Sequence, residues 1–515
     1  MCKILGEAPP AVLTQKPQNR DDHPNWMPLA LILATIVVAW DLVQLPHIMS
    51  FELYAFGDQG GNITAQNLIA HGSRPTVDFG YSYGLLSLLA GRVWFSIFGA
   101  TPMAYEGASL LCQIAVVSAI ARTAAALRLG FAQQAFIVFA IGRAVMPAYP
   151  SFAHALEAVL LSSAVAEHAR GNRSNALALA TAAVLAKPSM GYVYGALLLG
   201  LIMLRPRTGD RGALYPRIGE LYRAFAVGVV LCAILSLVYG FDILCRTALP
   251  LSGMANYRAM NAGFFTGEGS NFWHPPHANW RYYAGAAFGF WALASLYLTY
   301  AAIPAALRTF AVSKAKLASM SEWRDEIIVS CAILHVAFVT CFFGHPATWT
   351  YYSYILIAGV AAIPISYNLS RRALYLLTIA VTFSYYSVVK DSVKSWRYHV
   401  RSPATANLWA PIDERDEWIK VTELANGKNP VMVRWAGALE TLFPQFQPPA
   451  GTYFVVGLMP PVEIQRELVR IDRAPIVVTP TSAIIGGLPG APEFAQALAS
   501  MKPIWRGKYF EVYTH

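Results

Sequence analysis

The chain has 515 residues, of which 56% are hydrophobic and only 13% are charged, and it carries a formal net charge of +10. Its mean hydropathy is +0.42. This composition predicts an integral membrane protein and excludes an ordinary soluble domain. The positive charge does not indicate nucleic-acid binding, because the basic residues concentrate in alternate connections between apolar runs.

The apolar runs predict about eleven transmembrane helices, since each approaches the roughly 20 residues that a spanning helix needs. The residues before the first run, 1–26, are polar and proline-containing and show no cleavage site of small residues. We therefore predict a disordered cytoplasmic tail there rather than a signal peptide. The predicted spans lie near 27–48, 103–121, 131–147, 153–168, 174–187, 189–204, 220–240, 283–305, 326–343, 351–368 and 373–389.

The arginines predict which connections face the cytoplasm, because short cytoplasmic loops are enriched in basic residues. This places the first loop outside, provided that the stretch 84–99, GLLSLLAGRVWFSIFG, does not cross the membrane. Its short length and Arg92 favour an interfacial or re-entrant segment. If it crossed, everything downstream would invert. The arginines assigned to the cytoplasm are Arg122, Arg128, Arg170, Arg173, those from Arg205 to Arg223 and from Arg308 to Arg324, Arg371 and Arg372.

The pattern changes near Lys390, from long apolar runs to short alternating elements. We therefore predict an α-helical polytopic transmembrane domain over 27–390 and a small extracytoplasmic α/β domain over 391–515. The second domain contains no cysteine, so it must fold without disulfides. Its predicted helices are 413–426, 461–471 and 492–501, and its predicted strands are the runs VMVRW, TYFVVG, PIVVTP and YFEVYT.

Two long connections, 49–102 and 241–282, are predicted on the outer face. The first carries Asp58 and Asp78 directly after an apolar span, which marks it as the place to expect chemistry. The second is rich in Gly, Asn and aromatic residues. It suits a ligand-binding loop, since aromatic faces stack on sugar rings while Asn and Arg bind hydroxyls or phosphate. It equally suits an interfacial belt of Trp and Tyr, and the two interpretations are compatible.

The order of these features resembles a known family. An acidic loop after the first span, the following stretch GSRPTVDFGYSYG, many spans and a C-terminal outer α/β domain are similar to the GT-C glycosyltransferases. The likeness is to the branch that includes protein O-mannosyltransferases and lipid A aminoarabinose transferases. It implies a bacterial inner-membrane enzyme whose donor is a sugar on a polyprenyl phosphate.

The resemblance also implies site residues. Asp58 falls at the first acidic position of the family's outer loop, whereas Gln59 stands where the second acid is usual. For the acid at the outer end of a later span, the stretch AYPSFAHALEAVL offers His154 and Glu157, and Glu157 is the candidate. The stretches KPSMGY and GHPATWTYYSY resemble span ends that face the lipid-linked donor. They nominate Lys187, His345 and Tyr352.

The chemistry needs a base for the acceptor hydroxyl and cations for the departing phosphate. Asp58 is the predicted base, and attack opposite to the phosphate predicts inversion at the anomeric carbon. One carboxylate would suffice, unlike the pair that glycoside hydrolysis requires. Asp78 is a further predicted substrate-binding residue. The outer cations available to bind phosphate are Arg74, Lys187, Arg258 and Arg281.

Each of these residues also has a structural interpretation. Asp58 could be the N-cap of a helix, and Asp78 could organise its loop through backbone hydrogen bonds. Glu157 could complement a helix dipole, and Lys187 could snorkel to the membrane interface.

The sequence gives little support to a metal or cofactor site. The pair His274 and His277 flanks two prolines, which disfavour the helical placement of paired ligands. Some members of the resembled family bind a divalent cation near the acidic loop, so metal dependence stays an open alternative.

Two other functions compete with transfer. A transporter or flippase of a lipid-linked sugar would show internal repeats and mid-span ionisable residues, and the sequence displays neither. A non-catalytic GT-C-like scaffold in envelope glycan assembly is a further alternative, because Gln59 replaces an expected acid. The acceptor, whether a lipid, a glycan or a protein, is left open.

Overall fold

The computed structural model describes residues 25–81, 83–145, 152–204, 214–249, 320–342, 354–383, 385–434, 436–452, 461–481, 483–484 and 492–515. Several predictions made from the sequence lie outside these ranges. They include most of the tail 1–26, residues 250–282 of the second outer connection, the span 283–305, the residues Arg258, Arg281, His345 and Tyr352, and the pair His274 and His277.

The N-terminal three quarters of the described chain is mainly helical, as the apolar runs predict. Each predicted span within the described ranges falls on helix, with ends that differ by a few residues, although 27–48 and 373–389 each extend over two successive helices. The helices are α1 (Met27–Val43), α2 (Leu45–Ile48), α3 (Phe51–Ala55), α4 (Asp58–Ala70), α5 (Leu85–Phe98), α6 (Pro102–Ala126), α7 (Phe131–Val145), α8 (Phe152–Ala169), α9 (Arg173–Ala186), α10 (Met190–Leu204), α11 (Leu214–Tyr239), α12 (Phe241–Ala248), α13 (Met320–Phe342), α14 (Tyr354–Asn368), α15 (Arg371–Phe383) and α16 (Tyr385–Tyr398).

Two of the described helices are long and apolar enough to cross a bilayer by length and composition, namely Pro102–Ala126 and the Leu221–Tyr239 part of α11. The outward face of α11 is apolar as well, which suits hydrocarbon rather than water. The number of about eleven spans stays a prediction. Large apolar side chains exposed on α11 are Tyr222, Phe225, Val229, Val230, Ile234, Leu237 and Val238.

Helix α5 begins and ends at the same end of the helix bundle. Before its first turn, the Gly84 N–H donates to the carbonyl of Ala186 at the end of α9 (3.1 Å). Near its last turn, Trp94 Nε1 donates to the carbonyl of Ala104 at the start of α6 (2.7 Å). A helix of 14 residues is about 21 Å long. Helix α5 therefore does not traverse the bundle, and its place in the membrane interface stays a prediction.

The opposite end of the bundle holds two clusters of partly buried ion pairs. Arg122 contacts Glu167 (2.5 Å), and Arg173 contacts Glu326 (2.7 Å). The ring of His168 lies 3.4 Å from the same Glu326 carboxylate. These clusters join α6, α8, α9 and α13 and place two of the predicted inner arginines, Arg122 and Arg173, at one end of the bundle.

The C-terminal region is a small α/β unit, as predicted. Its four-stranded sheet has the order β3-β4-β6-β5, with β3 and β4 parallel and the other pairs antiparallel, and β1 and β2 form a separate antiparallel pair. The elements are β1 (His399–Arg401), β2 (Trp409–Pro411), α17 (Ile412–Ala425), β3 (Val431–Met432), α18 (Leu439–Leu442), α19 (Pro461–Arg473), β4 (Val477–Pro480), α20 (Pro492–Ala499), β5 (Lys502–Arg506) and β6 (Phe510–Thr514).

The strand predictions are confirmed in part. The runs PIVVTP and YFEVYT contain β4 and β6, whereas VMVRW forms only the two-residue β3. Most of TYFVVG, residues 453–457, lies outside the described ranges. The edge strand β5 was not predicted, because its Lys, Pro and Arg hide the alternation that a half-buried strand normally shows.

The C-terminal unit and the first outer loop share one core. Trp418 of α17 packs against Phe51 of α3 at 5.3 Å between ring centroids, and against Phe443 at 5.1 Å. The backbone joins as well, since Ala438 N donates to Tyr54 O (2.8 Å). The apolar residues of the MSFELYAF stretch therefore fill the core of the C-terminal unit.

Gly60 permits this close packing. A Cβ atom at this position would lie 1.8 Å from Tyr54 O and 2.5 Å from Ala438 N, both backbone atoms. We expect Gly60→Ala to lower the free energy of unfolding by about 3 kcal/mol, since overpacking against backbone cannot be relieved by rotamer changes. Thermal unfolding of the detergent-solubilised protein measures this. Gly200→Ala on α10 is the control, because nothing lies within 4 Å of its added Cβ; equal melting temperatures for the two variants would contradict the packing argument.

Candidate functional site

Asp58 is the first residue of α4 and follows Gly57, whose extended backbone makes it the N-cap. The interpretation of Asp58 as the N-cap is therefore wrong, although its carboxylate still lies in the first helical turn. Burial raises the pKa of Asp58 to about 7. A carboxyl group with that pKa changes protonation near neutral pH, as a general base should.

Two buried tyrosines, Tyr54 and Tyr105, form a cluster with Glu106, and Asp58 acts electrostatically on this cluster. The charge of Asp58 acts on the Tyr105 hydroxyl, which hydrogen-bonds to the backbone of Phe152. The Tyr54 hydroxyl donates to Glu106 Oε1 at 2.5 Å, and the rings of Tyr54 and Tyr105 meet edge to face. Glu106 was not predicted from the sequence, although it is an acid at the start of the predicted span 103–121.

Glu157 and Lys187 form a buried ion pair. Lys187 Nζ lies 3.3 Å from Glu157 Oε2, and the two residues are 6% and 2% exposed. Glu157 Oε1 also accepts from Ser189 Oγ (2.6 Å) and Met190 N (3.0 Å). The interpretation of Lys187 as a snorkelling residue is wrong, because its ammonium is held inside the protein by a carboxylate. The sequence nominated the two residues separately, and the structure brings them together.

An aromatic segment connects Lys187 with the Asp58 side. It consists of Phe79, Gly80, Tyr81, Tyr83 and Gly84. The ring of Tyr83 meets the ring of His154 edge to face, with centroids 5.3 Å apart. Tyr83 also acts electrostatically on Tyr105, and Lys187 acts on His154.

Direct contacts join Tyr83 to His154 and Lys187 to Glu157. Longer-range electrostatic interactions link Asp58 and Tyr83 to Tyr105, and Lys187 to His154. These residues therefore lie in one region of the protein.

Asp78 and Arg74 pair with each other on the surface. Asp78 Oδ2 accepts from Arg74 N (2.8 Å) and from Arg74 Nε (3.3 Å). These contacts, the backbone bond foremost, lower the pKa of Asp78. They are what the loop-organising interpretation of Asp78 predicts. A role of either residue in substrate binding stays a prediction.

Gln59 is 2% exposed, and its Oε1 has no hydrogen-bond partner within the described ranges. Each buried polar atom without a partner costs free energy, so such an atom at a site is suited to a ligand that donates a hydrogen bond. As for metals, no group of three His, Cys, Asp or Glu side chains in the described part of the chain is arranged to hold an ion.

Comparison with known proteins gives a weak structural similarity. No protein-family profile and no curated protein match the chain. The crystal structure of ArnT from Cupriavidus metallidurans bound to undecaprenyl phosphate is similar over 94% of this chain and 97% of that chain, with a TM-score of 0.40 and 16% identity. The apo structure of the same ArnT covers the same shares, with a TM-score of 0.42 and 14% identity.

Proposed function

We propose that this protein is an inverting glycosyltransferase. It moves a sugar from a polyprenyl-phosphate donor to a hydroxyl acceptor at the outer face of a bacterial cytoplasmic membrane. One observation carries the proposal: a carboxyl group with a pKa near neutrality, that of Asp58, and the buried lysine of the Lys187–Glu157 pair lie towards the same end of a helix bundle. The motif resemblance supplies the reaction type.

Asp58 is the proposed base. Its raised pKa is close to the pH at which a base must both lose its proton and still be basic enough to take one. It accepts the proton of the acceptor hydroxyl as that oxygen attacks the anomeric carbon. The phosphate leaves from the opposite face of the sugar, so the configuration at the anomeric carbon inverts.

Lys187 is the proposed phosphate ligand inside the protein. A cation in a water-poor site stabilises the charge that develops on the departing phosphate far better than it would in water. Glu157 holds the lysine in place, and its carboxylate offsets part of the positive charge of the ammonium. Arg74 is proposed as a second phosphate ligand, at the surface. Four further substrate-binding residues are proposed on the resemblance alone, namely Arg258, Arg281, His345 and Tyr352.

Transport of the lipid-linked sugar is less well supported. The ion pairs of α8 lie towards the two ends of the helix, with Glu157 at one end and Glu167 at the other. An alternating-access pathway would be expected to place ionisable residues near the middle of the spans.

The test is sugar transfer by the purified protein in lipid nanodiscs. The donors are a panel of radiolabelled polyprenyl-phosphate sugars, and the acceptors are extracted from membranes as lipid, glycan and protein fractions. We expect label to move from one donor class to one acceptor class with an inverted anomeric linkage. Donor binding without transfer would favour the scaffold alternative, and movement of intact donor across proteoliposomes would favour the transporter.

Transfer should rise with pH and level off above about pH 7. Asp58 must be ionised to act as a base, and its pKa is raised to about 7. Below this value, kcat/KM should fall about tenfold for each pH unit, because only the ionised fraction is active. The measurement is kcat/KM between pH 5 and 9. A profile that is flat across pH 7 would count against Asp58 as the base.

A further inference from the structure

Glu463, in the C-terminal unit, forms a hydrogen bond with the backbone of the aromatic segment. Its side chain is fully buried, at 0% exposed. Glu463 Oε2 accepts from Gly80 N (3.0 Å), and Glu463 Oε1 accepts from Thr452 N (3.1 Å). Thr452 Oγ1 completes the link by donating to Gly80 O (2.8 Å). Both the N–H and the carbonyl of Gly80 are thus bound by the C-terminal unit.

The other end of the aromatic segment is fixed to the lysine side of the site. Gly84 N donates to Ala186 O, one residue before Lys187. A Cβ on Gly84 would lie 2.1 Å from Leu185 O, so the backbone here is in direct contact with α9. Between the two anchors, the Tyr81 hydroxyl bonds Ser87 Oγ (3.0 Å) and the Tyr83 ring meets His154.

We infer that Glu463 is a positioning residue, through which the C-terminal unit holds the aromatic segment against the end of α9 and so sets the geometry between Asp58 and Lys187. Its effect on transfer rests on the proposed function. The physical reason is the two-point attachment: a segment bound at Gly80 and at Gly84 has little freedom between those points. Release of Gly80 leaves Tyr83 attached on one side alone.

The hydrogen bond between Glu463 and Gly80 should depend on pH, because the pKa of Glu463 is shifted. Burial raises the pKa of Glu463 to about 8, an effect that the N–H groups of Gly80 and Thr452 oppose. The neighbouring Glu467 raises this pKa and Arg466 lowers it. The charge of Arg466 also helps to lower the pKa of Asp78, which pairs with Arg74 just before the aromatic segment.

The sign of the pH effect follows from that shift. A carboxyl group whose folded-state pKa is raised favours the attached state when it is protonated. The attachment is therefore strongest at low pH and weakens as the pH rises towards about 8, where Glu463 ionises in a buried position.

The direct experiment is amide hydrogen exchange of the full chain in detergent micelles, read by mass spectrometry on peptides that cover 79–84. We expect Glu463→Ala to speed exchange there roughly tenfold, since it removes both acceptor oxygens from a buried site. Exchange in β6 should not change. In the wild type, protection of 79–84, corrected for intrinsic exchange, should fall between pH 6 and 8.5, and Glu463→Gln should remove that dependence.

Glu467→Ala is the matched control. Glu467 lies one turn later on α19 and is equally buried, but its carboxylate accepts from Ala450 N and pairs with Arg470 inside the C-terminal unit. It should leave the exchange of 79–84 near the wild-type rate. If both variants speed that exchange equally, the effect is one of domain stability and the inference is overturned.

The kinetics of sugar transfer show whether Glu463 positions the reacting groups or only attaches the aromatic segment to the C-terminal unit. In Glu463→Ala we expect kcat to fall at least tenfold while KM for the donor changes less than threefold, because small misplacements act mainly on the reacting geometry. Glu463→Gln, which keeps one acceptor oxygen, should recover part of kcat. Faster exchange with unchanged kcat would overturn the positioning role. Hydrogen exchange needs no substrate, so it tests the attachment of the segment even if the wild-type protein transfers no sugar. Absence of transfer by the wild type would count against the proposed function and not against the attachment.

Discussion

Replacing Asp58 with asparagine is expected to lower sugar transfer by about 10²–10⁴-fold, which is the usual contribution of a general base. Asparagine keeps the size of the side chain and its hydrogen-bonding oxygen but cannot accept the acceptor's proton. The assay is transfer from the active polyprenyl-phosphate sugar at saturating acceptor. Donor binding should persist, because Lys187 and Glu157 are untouched.

The same substitution should not destabilise the protein. Burial raises the pKa of Asp58 to about 7, so folding favours its neutral form and ionisation reduces stability as the pH rises from about 4 to 7. A neutral asparagine avoids that cost. At pH 8 we expect Asp58→Asn to melt at or above the wild-type temperature, which separates loss of chemistry from loss of fold.

Asp416→Asn is the control for a lost carboxylate. Asp416 is an exposed residue of α17 that pairs with Arg415, away from the site. It should alter neither transfer nor melting. If Asp58→Asn retained transfer, the base would have to be sought elsewhere, with Glu106 the first candidate because its carboxylate accepts from Tyr54, whose ring packs on Tyr105.

The helices could be predicted from the sequence because their cause is local. Apolar runs of spanning length produce helices such as α6 and α9 wherever they pack, so their positions follow from composition alone. The strand β5 could not be found in the same way. It is a strand because it pairs with β6 at the edge of the sheet, and that pairing is decided by contacts outside its own five residues.

The site could be predicted only residue by residue. Asp58, Glu157 and Lys187 were each nominated from a short motif, and the structure adds that Glu157 and Lys187 are partners. Their motifs belong to different spans, and nothing in either motif specifies which span ends meet.

The contact of Glu463 could be predicted even less from the sequence. It is a glutamate on an amphipathic helix, where a solvent-facing position would be the ordinary expectation. Its burial against Gly80, 383 residues earlier in the chain, follows only from how the C-terminal unit packs on the first loop.

Loss of the buried ion pair between Glu157 and Lys187 should have a large effect on both stability and transfer. Lys187→Met should lower the free energy of unfolding by about 3–5 kcal/mol, because it leaves the Glu157 carboxylate buried without its cation. It should also remove transfer. The loss of transfer alone is ambiguous, since a destabilised site and a missing phosphate ligand give the same assay result.

The double variant Glu157→Gln, Lys187→Met resolves this ambiguity. With both charges gone, no buried charge is left unpaired, and most of the stability should return. Glutamine can still accept from Ser189 Oγ and Met190 N through its carbonyl oxygen. Transfer should stay absent, because no ammonium remains to stabilise the departing phosphate.

A matched pair at the opposite end of the bundle supplies the comparison. Arg173 and Glu326 are also an ion pair, joined at 2.7 Å; Glu326 is buried and Arg173 is partly exposed, and both lie at the end of the bundle opposite to Lys187. Arg173→Met should destabilise, and Arg173→Met with Glu326→Gln should recover stability and retain transfer. If the double variant at Glu157 and Lys187 also retained transfer, that pair would be a structural element like its counterpart, and the phosphate would have to be bound by the arginines of the outer loops.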